Sequence, residues 1–162
     1  MSDHRDASSM SVQARQIDEW LASIAAANPQ IAAIDRGTSD GTLAGDPRWY
    51  VRMIGEEKDY TTVWLTLGQR TLRYETYVMP APEEQAEELY EHLLRRNDRL
   101  VGAHFSIGLE DAVYLRGELF DQVLSEASID RVLGTLYATV EQCFRSLLRI
   151  GFASRFAEHD PD

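Results

Sequence analysis

The chain has 162 residues, 44% of them hydrophobic and 27% charged, with a formal net charge of −11. That length and balance predict one ordinary folded domain, which buries roughly 70% of the surface its unfolded chain exposes, and exclude the disordered classes. The acidic excess, with no dense Lys/Arg stripe, excludes nucleic acid as an expected partner, and no apolar run approaches the ~20 residues of a membrane span.

One cysteine permits no internal disulfide, and the start shows no basic-plus-apolar leader, so a cytoplasmic protein without a membrane contact is expected. Residues 1–10, "MSDHRDASSM", are small, polar and aperiodic and read as a flexible tail; Met10 stands beside Met1 as a second candidate start. A single domain is expected over residues 11–156, with a C-terminal tail at 157–162.

From Ser11 the pattern is helical, with Val12, Ile17, Trp20, Leu21 and Ile24 recurring until "ANP" ends the run at Pro29. "QIAAIDRGTSDGTLAGDP" then reads as a short apolar piece followed by a loop through Gly37, Gly41 and Gly45. These glycines lack the Gly-Lys-Ser/Thr ending of a phosphate loop. Three strands follow at residues 48–54, 60–67 and 71–79, rich in aromatic and β-branched side chains. "LGQR" predicts a two-residue turn with Gly68 at its first centre in type II′ geometry.

After Pro80 and Pro82, "EEQAEELYEHLLRRNDRL" repeats Ala86, Leu89, Tyr90, Leu93, Leu94 and Asn97 at helical spacing. Glu83, Glu84 and Glu87 open that helix, and Arg95, Arg96 and Arg99 close it, the order the helix dipole favours. A second hairpin comes next, alternating through Ala103, Phe105 and Ile107 and then Val113 and Leu115, with "GLED" between. A long last helix takes Ser128 as N-cap and an apolar stripe from Ile129 through Val132, Leu136, Val140, Cys143 and Leu147. The order α-βββ-α-ββ-α predicts an α+β fold, an antiparallel sheet of about five strands with helices packed on it.

Several separated motifs carry a resemblance: "LLRRNDRLVGAHFSIGLEDAVYLRGEL", "IDRVLGTLY" and "LLRIGFAS", in that order. Over about residues 49–154 the chain resembles the actinobacterial branch of the YbjN-domain family; the first helix matches by type and position only. The resemblance implies a fold similar to type III secretion chaperones of the CesT kind. It also implies a non-enzymatic role in protein handling or sensory-transduction regulation, and it supplies no catalytic residue. A shared fold does not by itself establish chaperone activity.

The chemically suggestive residues have plain structural readings. Glu84, Glu88 and His92 are successive i,i+4 neighbours, but a helical di-iron site needs Glu-x-x-His spacing and a second such helix, so a solvated face is expected. Arg95 and Arg96, with Arg116 further on, are candidate anion contacts, set against arginines that close a helix. His104, on the polar parity of its strand and without a triad partner, reads as a surface or interface residue. Cys143 on the apolar stripe reads as an inert core thiol, and Glu141, Arg145 and Arg149 as a solvated ladder. Neither a hydrolase constellation, a structural metal nor a cofactor is expected.

One feature points to binding. If Val63, Leu65, Leu72, Tyr74, Phe105, Ile107, Val113 and Leu115 face the helices, period-two alternation sends Tyr60, Trp64, Tyr77, Met79, His104 and Tyr114 to the other face. Such an aromatic face is either a binding surface or is covered by the N-terminal segment or the long loop. The leading expectation is a dimeric, chaperone-like or regulatory protein-binding module with an unidentified protein client. The alternative is a small-molecule sensor or minor enzyme with a pocket near Arg95, Arg96 or Arg116.

Overall fold

The computed structural model describes the backbone of residues 3–157 and the side chains of residues 10–156. Residues 158–162 of the expected C-terminal tail and the candidate start Met1 lie outside them. Helix α1 (Asp3–Ala27) begins before the Ser11 start expected from the apolar period, so it takes in most of the stretch read as a tail. No Pro or Gly interrupts residues 3–10, and Asp3 and Asp6 stand at the helix end that favours acids. Among the described side chains of α1, Ala14, Ile17, Leu21 and Ile24 enter the core, while Val12 stays exposed.

The sheet has six strands rather than about five, all antiparallel, in the order β1-β2-β3-β4-β6-β5. The additional strand is β1 (Ile31–Thr38), where the sequence reads as a loop. It escapes the pattern because it is an edge strand with a register shift between Ile31 and Ala33 and little burial; backbone pairing to β2 (Pro47–Ile54) specifies it, not side-chain alternation.

Strands β3 (Tyr60–Leu67) and β4 (Thr71–Met79) form the expected hairpin. Its turn is centred on Gln69 and Arg70, because the Gly68 N–H donates to the Thr71 carbonyl at 2.9 Å. Gly68 is not among the residues with positive φ, so the type II′ assignment does not hold. At the far end of β4 a bulge shifts the register against β6 (Val113–Phe120) between Tyr77 and Met79. This second irregularity reverses the parity of Met79, which is fully buried on the helix side.

Helix α2 (Ala86–Asn97) starts after Gln85, which adopts φ 53. Glu83 and Glu84 therefore precede it and serve another end of the molecule. Their backbone N–H groups donate to the Gly151 carbonyl at 3.0 and 3.1 Å, the Glu84 carboxylate accepts from Ser154, and Glu83 pairs with Arg155. Strand β5 (His104–Ile107) is the other edge of the sheet. Its Phe105 N–H donates to Asn97 Oδ1 at 2.7 Å and its carbonyl accepts from Asn97 Nδ2 at 3.1 Å, so one amide of α2 takes the place of a neighbouring strand.

Helix α3 (Glu126–Gly151) is capped by Ser125, not Ser128. Each serine hydroxyl accepts the other's backbone N–H, at 2.8 and 3.0 Å, and Ser128 is the third residue of this capping box. Its stripe of Ile129, Val132, Leu133, Leu136, Val140, Cys143 and Leu147 lies over β3 and β4; a short α4 (Ala153–Ala157) follows. The core also takes Val63, Leu65, Leu72, Tyr74, Phe105, Val113 and Leu115, as alternation predicts, whereas Ile107 is half exposed at the end of the edge strand. Where Tyr74 faces Gly117 across the sheet, a Cβ on the glycine would lie 2.5 Å from the Tyr74 ring and from the Gly102 carbonyl that the Tyr74 hydroxyl bonds.

Leu136 is fully buried in the middle of the α3 stripe. Leu136→Ala is expected to lower the unfolding free energy by about 2–5 kcal/mol in urea titrations, whereas Leu43→Ala, on the exposed loop before β2, changes it by less than about 0.5 kcal/mol. Equal effects of the two would contradict this placement of the core.

Candidate functional site

All three long helices bury their apolar stripes on one face of the sheet. α1 is fixed there by Asp18, which accepts from the indole N–H of the buried Trp49 at 2.7 Å and pairs with Arg36 at 3.6 Å. The N-terminal helix is thus committed to the helical side, and no described helix covers the other face.

That open face follows from the register. A row of mutually facing residues crosses all six strands: Asp35, Tyr50, Trp64, Glu75, Arg116 and His104. The Tyr50 and Trp64 rings meet at 6.3 Å, Trp64 and Tyr114 at 6.3 Å, and Tyr114 and Tyr77 at 5.6 Å, an unbroken aromatic ridge from β2 to β6. Cations lie over four rings on this side: Arg52 over Tyr60 at 3.8 Å, Arg116 over Tyr114 at 4.4 Å, Lys58 over Tyr77 at 5.2 Å and Arg48 over Trp64 at 5.9 Å. Each such contact screens a ring from water.

The polar part of the row is tied down. Arg116 Nε donates to Glu75 at 2.8 Å in a largely buried pair, its Nη1 donates to Ser106, and Arg73 approaches the same carboxylate at 3.8 Å. Arg48 donates to Thr66 Oγ1 at 2.9 Å, and neither Arg48 nor Arg52 has an ion pair among the described residues. On the strands of this face Arg48, Arg52, Arg73 and Arg116 stand against Asp35, Glu75 and Glu118, without the acidic excess of the whole chain.

Of the residues expected on the binding face, Tyr60, Trp64, Tyr77, His104 and Tyr114 are there. Tyr60 and Tyr77 are 45% and 36% exposed; Tyr114 is 6% exposed beneath Arg116 and the Gly108 backbone; His104 ends the row at the β5 edge. Met79 does not join them, because the β4 bulge turns it into the core. Tyr50, Arg48, Arg52 and Lys58 were missed. The first three were legible: in "RWYVRMI" the alternation of Trp49, Val51 and Met53 leaves Arg48, Tyr50 and Arg52 on the other parity.

The candidate anion contacts do not converge. Arg95 is exposed on α2 and paired with Glu91, Arg96 donates to His92 Nε2 at 2.9 Å, and Arg116 lies across the sheet against Glu75. Burial and then the Arg96 guanidinium hold the His92 pKa below its ordinary value, consistent with a neutral acceptor ring. Glu84, turned toward Ser154, is likewise apart from His92. Cys143 is fully buried, and burial pushes its thiol pKa up to about 11.

Glu141 and Arg145, expected to be merely solvated, fasten the β2–β3 loop to α3. The Glu141 carboxylate accepts the backbone N–H groups of Glu56, Glu57 and Lys58 at 3.0, 2.9 and 3.4 Å, and Arg145 pairs with Glu57. The loop so held sends Lys58 to the place where β3–β4 pairing stops at Val63 and Thr76; its Nζ donates to the Tyr77 carbonyl at 2.6 Å between the Tyr77 and Phe144 rings.

A six-stranded antiparallel sheet with helices on one face and this strand order defines an α+β protein of the type III secretion chaperone-like fold. A chain in the solved heterodimeric complex ExoU–SpcU from the type III secretion system of Pseudomonas aeruginosa superposes with a TM-score of 0.50 at 14% identity, covering 81% of this chain and 96% of that one. The likeness shows the fold. Residues 17–149 match the model of the YbjN family, described as "Putative bacterial sensory transduction regulator", and the chain belongs to that family. Among its relatives, the uncharacterised protein Rv0487 of Mycobacterium tuberculosis is 34% identical over 108 residues, 67% of this chain and 59% of the relative. The uncharacterised protein ML2442 of Mycobacterium leprae is 34% identical over 118 residues, 73% of this chain and 62% of the relative. The chain thus matches less than two thirds of the length of these relatives.

Burial brings the Lys58 pKa down to about 8. Between that pH and the ordinary lysine value of 10.5 the unfolded chain holds the proton and the folded one does not, so this group makes stability rise with pH across the window. Lys58→Met is expected to remove that rise, read as the difference in urea-unfolding free energy between the two proteins at pH 8 and pH 10. A parallel pH dependence of the two would contradict it.

Proposed function

We propose that the protein is a non-enzymatic, chaperone-like or regulatory protein-binding module that works in the cytoplasm as a homodimer and holds a protein client on the open face of its sheet. The observation that carries this reading is the aromatic ridge of Tyr50, Trp64, Tyr114 and Tyr77, flanked by cations on the sheet face opposite the three long helices, with Tyr114 buried at its centre. Aromatic residues and arginine are the side chains enriched where proteins bind one another, and anchors of this type carry most of the energy of an interface. The heterodimeric complex that shares the fold supports the reading, as does the regulatory description of the family. With the arginines of the sensor alternative standing apart, nothing in the geometry favours that reading over this one.

Affinity capture from the native host with mass spectrometry, on wild type and two variants, tests the proposal. Trp64→Ala is expected to keep its helical content and cooperative unfolding yet bind the captured client more weakly by about 2 kcal/mol or more. Cys143→Ala is expected to lose stability through packing and to keep the client. Undiminished capture by Trp64→Ala, or its loss in folded Cys143→Ala, would contradict the assignment of the face.

A further inference from the structure

Lys58 is the only lysine in a chain with fifteen arginines, and the fold builds a holder around it. The β2–β3 loop that carries it closes where the Gly55 N–H donates to the Asp59 carbonyl at 3.0 Å, and Glu141 of α3 accepts the three successive N–H groups of Glu56, Glu57 and Lys58. A Cβ on Gly55 would collide with the Lys58 carbonyl and the Glu141 carboxylate, so this loop closes only on glycine. The half-buried Lys58 side chain ends with Nζ 5.2 Å from the Tyr77 ring centroid and 5.7 Å from that of Phe144, donating to the Tyr77 carbonyl at 2.6 Å.

Four acids surround this amine and none pairs with it. Glu141 is occupied by the loop backbone, Glu57 pairs with Arg145, and Glu56 and Asp59 are exposed; Lys58 has no ion pair among the described residues. Burial pushes the Tyr77 phenol pKa up, so the ring beside the amine supplies no anion either. An ammonium withdrawn from water without a carboxylate partner gives up its proton readily, and burial brings the Lys58 pKa down to about 8. An arginine here would stay protonated and could not act as a nucleophile. We infer that Lys58 is an acylation site of this protein, taking a small acyl group from a thioester. The uncharged thioester carbonyl suits a loop whose exposed Glu56, Glu57 and Asp59 repel anionic donors such as acyl phosphates. In the reaction the Nζ lone pair bonds to the acyl carbon, the C–S bond breaks, and the sulfur leaves as a thiol with the proton that the nitrogen releases. The amide product keeps one N–H for the Tyr77 carbonyl but carries no charge. A cation is thereby removed from the rim of the open sheet face, and an acyl group stands beside the Tyr77 and Phe144 rings.

The effect on the open face rests on the proposed function, whereas the reaction itself does not. Incubation of the purified protein with S-acetyl-N-acetylcysteamine, an uncharged thioester, followed by peptide mass spectrometry tests the reaction, with the same chain unfolded in guanidinium chloride as reference. At pH 8 the folded protein is expected to gain an acetyl group on Lys58 about tenfold faster or more than the unfolded chain, whose lysine keeps the ordinary value of 10.5. The folded rate levels off above about pH 8, while the unfolded rate goes on rising toward pH 10.5. Glu141→Ala, its fold verified by circular dichroism, is expected to release the loop to water and to slow the reaction several-fold. A Lys58 that reacts more slowly folded than unfolded, a folded rate still climbing at pH 10, or an unchanged or faster reaction in folded Glu141→Ala would each overturn the inference. Client capture plays no part in this readout, so the sheet-face reading stands or falls separately.

Discussion

The apolar stripe of α3 lies along β3 and β4, the central strands, and the rest of the architecture is arranged around that contact. Ile129, Leu133, Leu136, Val140, Cys143 and Leu147 are all fully or almost fully buried there, so the central strands have one face from which water is excluded. α1 and α2 complete this layer from either side, through Ile17 and Leu21 and through Leu89 and Leu93. Three helices suffice for one face of six strands. The chain has no further long helix for the other face among the described residues, so that face meets solvent and is finished by its own side chains.

The finish is chemical rather than architectural. Guanidinium groups and the Lys58 ammonium lie over the rings of Tyr60, Trp64, Tyr77 and Tyr114, and the Glu75–Arg116 pair spans the middle of the sheet. A ring under a guanidinium is half-protected without being committed to a partner inside the molecule, which suits a surface that must stay soluble alone and dock a protein on demand. The β2–β3 loop belongs to the same device: α3 holds it through Glu141 and Arg145, and it in turn places Lys58 on Tyr77. The helical layer thereby helps set the geometry of the face it does not cover.

The two edges of the sheet are treated differently. At β5 the Asn97 amide occupies the backbone groups of Phe105, whereas β1 leaves its outer edge without a strand partner. Which parts of this were legible in the sequence follows from where side chains, rather than backbone, decide. Strands β3, β4 and β6 and the stripe of α3 repeat apolar residues against a buried surface, so their positions and facing were readable. β1 was not, because an edge strand held by backbone pairing needs no alternation. Met79 was assigned to the wrong face because a bulge changes parity without a signature in composition. Ser125 and Ser128 cap each other, and spacing alone pointed to the serine beside the apolar run. The Glu141 contact joins residues about eighty positions apart in sequence, a distance at which local pattern carries no information.

The claim on which the functional account turns is that the helical layer covers one face of the sheet and the other face is free in the isolated protein. Hydroxyl-radical footprinting of purified protein, read by mass spectrometry at individual residues, measures that directly. The account predicts rapid labelling of Tyr60 and Tyr77 on the open face, together with protection of Trp49 and Tyr74 beneath the helices. Protection of Tyr60 and Tyr77 to the level of Trp49 would contradict it.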